Sequence, residues 1–262
     1  MRRFSPEYLR ETRRGLWTER AALAPLFAES PARILDVGAG TGEFSRVLRE
    51  ESDATVISLD ADPSLLRAGD LGRPVQGEAT RLPFRDDAFD LVACQALLVN
   101  LPDPVGALRE FRRVSAGRVA AVEPDNGSVT VESTVPEEAT LSRRARDHYL
   151  DGLETDAELG ADLADYFERA GLSEVVVTRR VHERRTEPPY AEAAIESARR
   201  KVTAARIDDH RETMLAGGLE EAAFDALRDD WQAMGRAVVE QLQAGTYRRT
   251  ERVPFHVAVG RV

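Results

Sequence analysis

The 262 residues carry 46 acidic against 36 basic side chains, a net charge of −10, and 42% are apolar, which excludes fibrous and disordered classes and allows one full core. The one cysteine, Cys94, excludes an internal disulfide framework and a cysteine-based zinc site, and His148, His182, His210 and His256 lack metal-ligand spacing. No run reaches the ~20 apolar residues of a membrane span and the first residues lack a hydrophobic signal core, so no membrane association and a cytoplasmic location are expected.

Lys201 is the only lysine; every other base is arginine. An acidic surface nearly free of lysine is similar to that of proteins from salt-loving organisms, and a halophilic archaeon is the expected source. In molar salt, charge is screened within ~3 Å. The acidic balance therefore lowers the expectation of a nucleic-acid partner without excluding it.

Residues 5–28 read as one helix or two, with Ser5 as cap and Pro6 at the first helical position. Ile34, Leu35 and Val37 make a buried strand interrupted by Asp36, and Gly38, Gly40 and Gly42 follow. Residues 43–49 then have helical spacing, with Phe44, Val47 and Leu48 on one side. Strand, glycine turn and helix bring a nucleotide-like ligand against bare backbone at a helix N-terminus. A dinucleotide fingerprint needs a third glycine at position 43, where this chain has Glu43 beside the place a pyrophosphate would take.

Residues 54–60 form a second strand ending in Asp60, 18 positions beyond Gly42, close to the spacing at which an acid takes a ribose hydroxyl pair. Asp62 and Pro63 open the next helix. A short third strand spans 74–77, the fourth 91–95, and the fifth 118–123, with a helix over 105–114 between the last two. Asp90, opening strand four, reads as structural. Thr134-Val-Pro-Glu137 has the pattern of a capping box for a helix reaching about Leu150. A further helix covers 156–170, a sixth strand 174–178, and an alternating seventh strand 253–259. Between the last two, 189–216 is helical and weakly apolar. Residues 219–244 place Phe224, Leu227, Trp231, Met234, Val238 and Leu242 in one stripe, as packing within the domain, a lid or a partner-binding face.

The Gly-x-Gly-x-Gly run, with Asp36 two residues before its first glycine, resembles motif I of the class I S-adenosylmethionine (SAM) methyltransferases. Later stretches fall in the family's order: Asp60 closing strand two, Glu78-Ala79 before a Leu82-Pro-Phe84 turn, and Glu123-Pro124 closing strand five. The resemblance covers about 33–127 and implies an α/β, Rossmann-like doubly wound sheet of seven strands in order 3-2-1-4-5-7-6, strand seven antiparallel. It implies a single methyltransferase domain over 1–262: an N-terminal helical cap (1–30), a SAM-binding core (31–183), a helical insertion (184–246) and the last strand (247–262).

It also implies roles. Asp36 would meet the amino-acid end of SAM, and Gly38, Ala39, Gly40 and Gly42 its close backbone wall. Asp60 and Ala61 would meet the ribose, Glu78 and Ala79 the adenine, and Gln95 would line the same site. Tyr8, Arg13 or Trp17 would close the pocket. Glu123, Asp125, Asn126 and His148 are candidate acceptor contacts, and no general base is assigned. Asn100-Leu-Pro-Asp103 is not the motif that the family uses on exocyclic amines or a glutamine amide. Cys94 within strand four is not placed as a cytosine-methylating nucleophile. The acceptor is either a small molecule or a component of translation, RNA or protein. In the latter case a small zinc-binding activator would dock on the strand-three edge. A non-catalytic SAM-binding module is the third reading.

Overall fold

A computed structural model describes residues 5–13, 16–18 and 20–262. The side chain of Tyr8 lies outside the described residues. The chain forms two compact units: one of Met1–Asp125, Glu158–Arg180 and Phe255–Val262, the other of Asn126–Ala157 and Val181–Pro254.

In the first unit, β1 (Arg33–Val37), β2 (Thr55–Asp60), β3 (Pro74–Gln76), β4 (Phe89–Gln95) and β5 (Ser115–Pro124) pair in parallel in the order β3-β2-β1-β4-β5. β8 (Arg249–Arg261), of which residues 255–261 belong to this unit, adds antiparallel to β5, with Glu123 opposite His256, and β7 (Ser173–Thr186), of which residues 173–180 belong to it, pairs with β8. This is the expected order, with β7 and β8 as the predicted sixth and seventh strands. The central strands are buried on both faces, and their near-continuous apolar runs follow from that. α1 (Pro6–Arg13), α2 (Glu43–Glu50), α3 (Pro63–Ala68), α4 (Pro104–Val114) and α6 (Leu163–Arg169) complete the unit. Asp62 caps α3, its side chain accepting the N–H of Ser64 at 2.7 Å, with Pro63 at the first helical position. Asp90 Oδ2 accepts the N–H of Ala32 and Arg33 at 2.9 and 2.8 Å, so this acid joins the entrances of β1 and β4.

The N-terminal stretch and residues 159–169 are more broken than their apolar spacing suggests. 3-10 segments occupy Ala21–Phe27, which contains Pro25, and Leu159–Asp162. The predicted capping box does not form. α5 (Pro136–Asp151) starts one residue later, with Val135 as its cap residue, while Thr134 Oγ bonds Gln241. An eighth strand, β6 (Thr130–Ser133), precedes it and pairs with Arg249–Arg252 of β8.

The second unit joins α5, α7 (Glu192–Val202), α8 (Ala205–Asp209), α9 (Arg211–Ala216) and α10 (Glu221–Gln243). Phe224, Leu227, Trp231, Met234 and Val238 are all buried in the core of this unit. The stripe on α10 is therefore an internal packing face. Each unit holds one of the two tryptophans, Trp17 or Trp231, so Trp17→Phe leaves a fluorescence reporter for the second unit alone. In that background Phe224→Ala should lower the stability reported by denaturant unfolding by about 3–5 kcal/mol. A loss below about 1 kcal/mol would mean that the stripe is not packed as described.

Candidate functional site

The turn after β1 is built from backbone that L side chains avoid. Gly38, Gly40 and Gly42 have φ of 70°, 58° and 88°, and a Cβ at Gly40 would stand 2.9 Å from Leu9 Cδ1. The N–H groups of Gly38 and Ala39 donate to Leu59 O at 2.8 and 2.9 Å. Gly40 N–H donates to Asp60 Oδ2 at 2.8 Å, while Asp60 Oδ1 accepts the N–H of Asp62 at 2.9 Å. One carboxylate at the end of β2 thus fixes the turn and the start of the next loop. Each of its oxygens keeps a lone pair for a hydroxyl.

Asp36 and Gln95 sit at the exits of the neighbouring strands β1 and β4, and are 1% and 2% exposed. Asp36 Oδ2 accepts from Ser45 Oγ, and Ser45 in turn is 2.7 Å from Ser58. Asp36 Oδ1 is buried with no partner, and so is Gln95 Nε2. An orphan acceptor and an orphan donor at the exits of two adjacent strands match the ammonium and carboxylate of an amino-acid group. The SAM expectation therefore fits these residues. Burial pushes the Asp36 carboxyl up to about 7, with Asp60 adding repulsion while Ser45, Arg13 and Arg49 oppose the rise.

The N-terminal segment reaches the same place. Trp17 Nε1 donates to Gln95 Oε1 at 3.2 Å, and its ring stacks on Phe44 at 5.4 Å. Arg13 Nη1 donates to Glu43 Oε2 at 3.4 Å. Ala61 and Ala79 follow β2 and β3, Ala79 buried and Glu78 exposed. Glu110 and Arg113 of α4 hold the turn beyond them. Leu82 N–H donates to Glu110 Oε1 at 2.8 Å, and Arg113 Nη1 and Nη2 donate to the carbonyls of Phe84 and Leu82 at 3.0 and 3.2 Å. Neither this pair nor the Ser45–Ser58 link was among the expected site residues. Ser45 carried a signal all the same, as a polar residue beside the apolar side of α2.

Glu123 is fully buried and faces inward. Its Oε1 accepts the N–H of Leu97 and Leu98 at 3.0 Å each, and its Oε2 that of Val99 at 3.3 Å. Burial pushes its carboxyl up to about 7, against those three hydrogen bonds. In this conformation Glu123 supports the loop after β4, whose Leu97 lies against Gly38. Asp125 is 8% exposed. In the second unit, Asn126 donates to Ala157 O at 2.7 Å, and His148 lies half-buried on α5. The site that forms within one unit is thus the glycine turn with Asp36, Asp60 and Gln95; the acceptor candidates divide between units. A cavity of about 360 Å³ lined by Leu26, Asp90 and Arg118 lies at the opposite ends of the strands, away from this turn.

Because the folded-state pKa of Asp36 is raised, folding takes up a proton between about pH 4 and 7. The stability due to this group is full below its unfolded value and is lost as pH rises through about 7. Asp36→Asn should flatten the fall in stability over that range by up to ~1.4 kcal/mol per pH unit. Parallel pH profiles for variant and parent would contradict the assignment.

Residues 35–120 match the family described as a methyltransferase domain. A demethylmenaquinone methyltransferase of Beutenbergia cavernae is 39% identical over 114 residues, which are 41% of this chain and 47% of the relative. A malonyl-[acyl-carrier protein] O-methyltransferase of Halorhodospira halophila is 36% identical over 126 residues, 45% of this chain and 43% of the relative. The chain spans about half the length of the curated relatives it matches. The YcgJ protein of Bacillus subtilis has the same fold, with a TM-score of 0.51 at 16% identity over 92% of this chain and 98% of its own. Over residues 35–120 the glycine turn and the acids at the ends of β1 and β2 thus lie in a segment that is similar to the methyltransferase domain and to these methyltransferases.

Proposed function

We propose that the chain transfers the methyl group of SAM to a small organic acceptor. The observation that carries this reading is the pair of orphan polar atoms, Asp36 Oδ1 and Gln95 Nε2, beside a left-handed glycine turn clamped by Asp60. When bound, SAM supplies the reactive sulfonium methyl. The protein's work is to hold and align the two reactants and to keep water out. Asp36 would accept from the ammonium group and Gln95 donate to the carboxylate. Asp60 would take the ribose hydroxyls, and Glu78 with Ala79 would border the adenine. Trp17, stacked on Phe44 and bonded to Gln95, excludes water from the amino-acid end. No general base is assigned, and none is needed when the acceptor atom carries no proton at neutral pH.

The relatives named for demethylmenaquinone and for malonyl-[acyl-carrier protein] favour a small organic group as acceptor. A translation-linked role with an activator on the β3 edge has weaker support. β3 is three residues long and opens with Pro74, which has no N–H to give an added strand.

Asp60→Ala removes the expected ribose contact and the acceptor for Gly40 N–H, and should weaken SAM binding by well over tenfold in equilibrium dialysis with radiolabelled SAM. Unchanged affinity would remove Asp60 from the site. Transfer of label from methyl-labelled SAM to a panel of quinols, phenols and carboxylic acids tests the reaction itself. Multiple turnovers on any of them exclude a purely binding role, whereas SAM binding with transfer only to RNA or protein would overturn the small-acceptor reading.

A further inference from the structure

The second unit is acidic overall, yet it gathers several cations around the strands β6 and β8. β6 and β8 pair with Val131 opposite Glu251 and Ser133 opposite Arg249. Glu138, with no exposed side-chain surface, pairs with Lys201 and Arg249 at 2.5 and 3.2 Å and accepts from Tyr247 Oη at 2.9 Å. Glu251 pairs with Arg184 and Arg249 at 2.6 and 3.1 Å. Three cations therefore already serve these two carboxylates. Arg146 of α5 adds a further positive charge, and its Nε is buried with no partner. Arg143 precedes it by one helical turn, and neither guanidinium forms an ion pair among the described residues.

These two arginines line a cavity of about 160 Å³, with Val131, Thr130 and Thr140 on its other walls. Arg143, Thr130 and Thr140 are exposed, so the cavity opens to solvent. Two guanidinium groups and two hydroxyls beside an apolar strand form a donor-rich recess, and the guanidinium fork matches carboxylate and phosphate oxygens. Burial lowers the Arg146 pKa from its ordinary value; Arg143 and Arg206 add to that, against Asp147 and Glu251. A bound anion would relieve the repulsion between the two guanidinium groups. We propose that the recess between β6 and α5, lined by Thr130, Thr140, Arg143 and Arg146, binds an anionic group of a small molecule, phosphoryl or carboxylate. The site lies wholly within the second unit and does not depend on the methyl-transfer reading.

The test titrates inorganic phosphate and, separately, citrate into the full chain at ionic strength held constant with potassium chloride, reading heat and melting temperature. The expected result is saturable binding of at least one anion. Arg146→Gln and Arg143→Gln should each weaken it at least tenfold, with SAM affinity unchanged in dialysis. Phosphate alone would mark a phosphoryl site, citrate alone a carboxylate site, and either result upholds the proposal. Equal responses in parent and variants, or stabilisation reproduced by chloride, would overturn it. Should Arg146→Gln fail to fold by circular dichroism, the exposed Arg143→Gln variant decides.

Discussion

One carboxylate fixes the geometry on which the rest of the first unit depends. Asp60 holds the N–H of Gly40 on one oxygen and that of Asp62 on the other. It thereby joins the turn after β1 to the loop after β2. Leu59 O takes two further N–H groups from the same turn. The three positive φ values are tolerated because glycine has no Cβ to clash. α2 begins directly after Gly42, with Glu43 in its first turn. That arrangement suits a ligand with an ammonium group and hydroxyls better than one with a pyrophosphate.

Two buried acids stand behind this turn with different duties. Asp36 has one oxygen bonded to Ser45 and one without a partner, so its burial leaves an unmet demand that a cation can satisfy. Glu123 has both oxygens engaged by backbone N–H groups and meets its demand internally. Burial raises both carboxyls to about 7. The unmet oxygen, not the shift, is what sets Asp36, the proposed binding group, apart from Glu123. An acid at the exit of β5 is read from sequence as an acceptor contact because of its position; its hydrogen bonds show it bracing the loop over Gly38.

The parallel strands were legible because burial on both faces leaves a continuous apolar run, and the glycine turn because its residues are those that left-handed backbone requires. The second half of β7 was not legible. The predicted sixth strand ends at residue 178, yet β7 continues to Thr186, where Glu183 and Arg184 pair with Arg252 and Glu251 of β8, nearly seventy positions away. Local sequence carries no trace of such a partner. β6 was hidden for a related reason: four residues with alternating exposure are too short to stand out before β8 supplies their hydrogen bonds. Thr134 had the right neighbours for a cap and instead bonds α10, which is tertiary packing prevailing over a local preference. The α10 stripe, by contrast, predicted its buried residues while leaving open what they pack against.

The most direct test of the central claim, that the glycine turn and its acids form the cofactor cradle, is amide hydrogen exchange with and without saturating SAM. The account predicts slowed exchange confined chiefly to residues 36–43, 60–62 and 95–99, where the turn, the Asp60 clamp and the Gln95 loop meet. SAM binding that leaves 36–43 and 60–62 unprotected, or protects only the second unit, would contradict it.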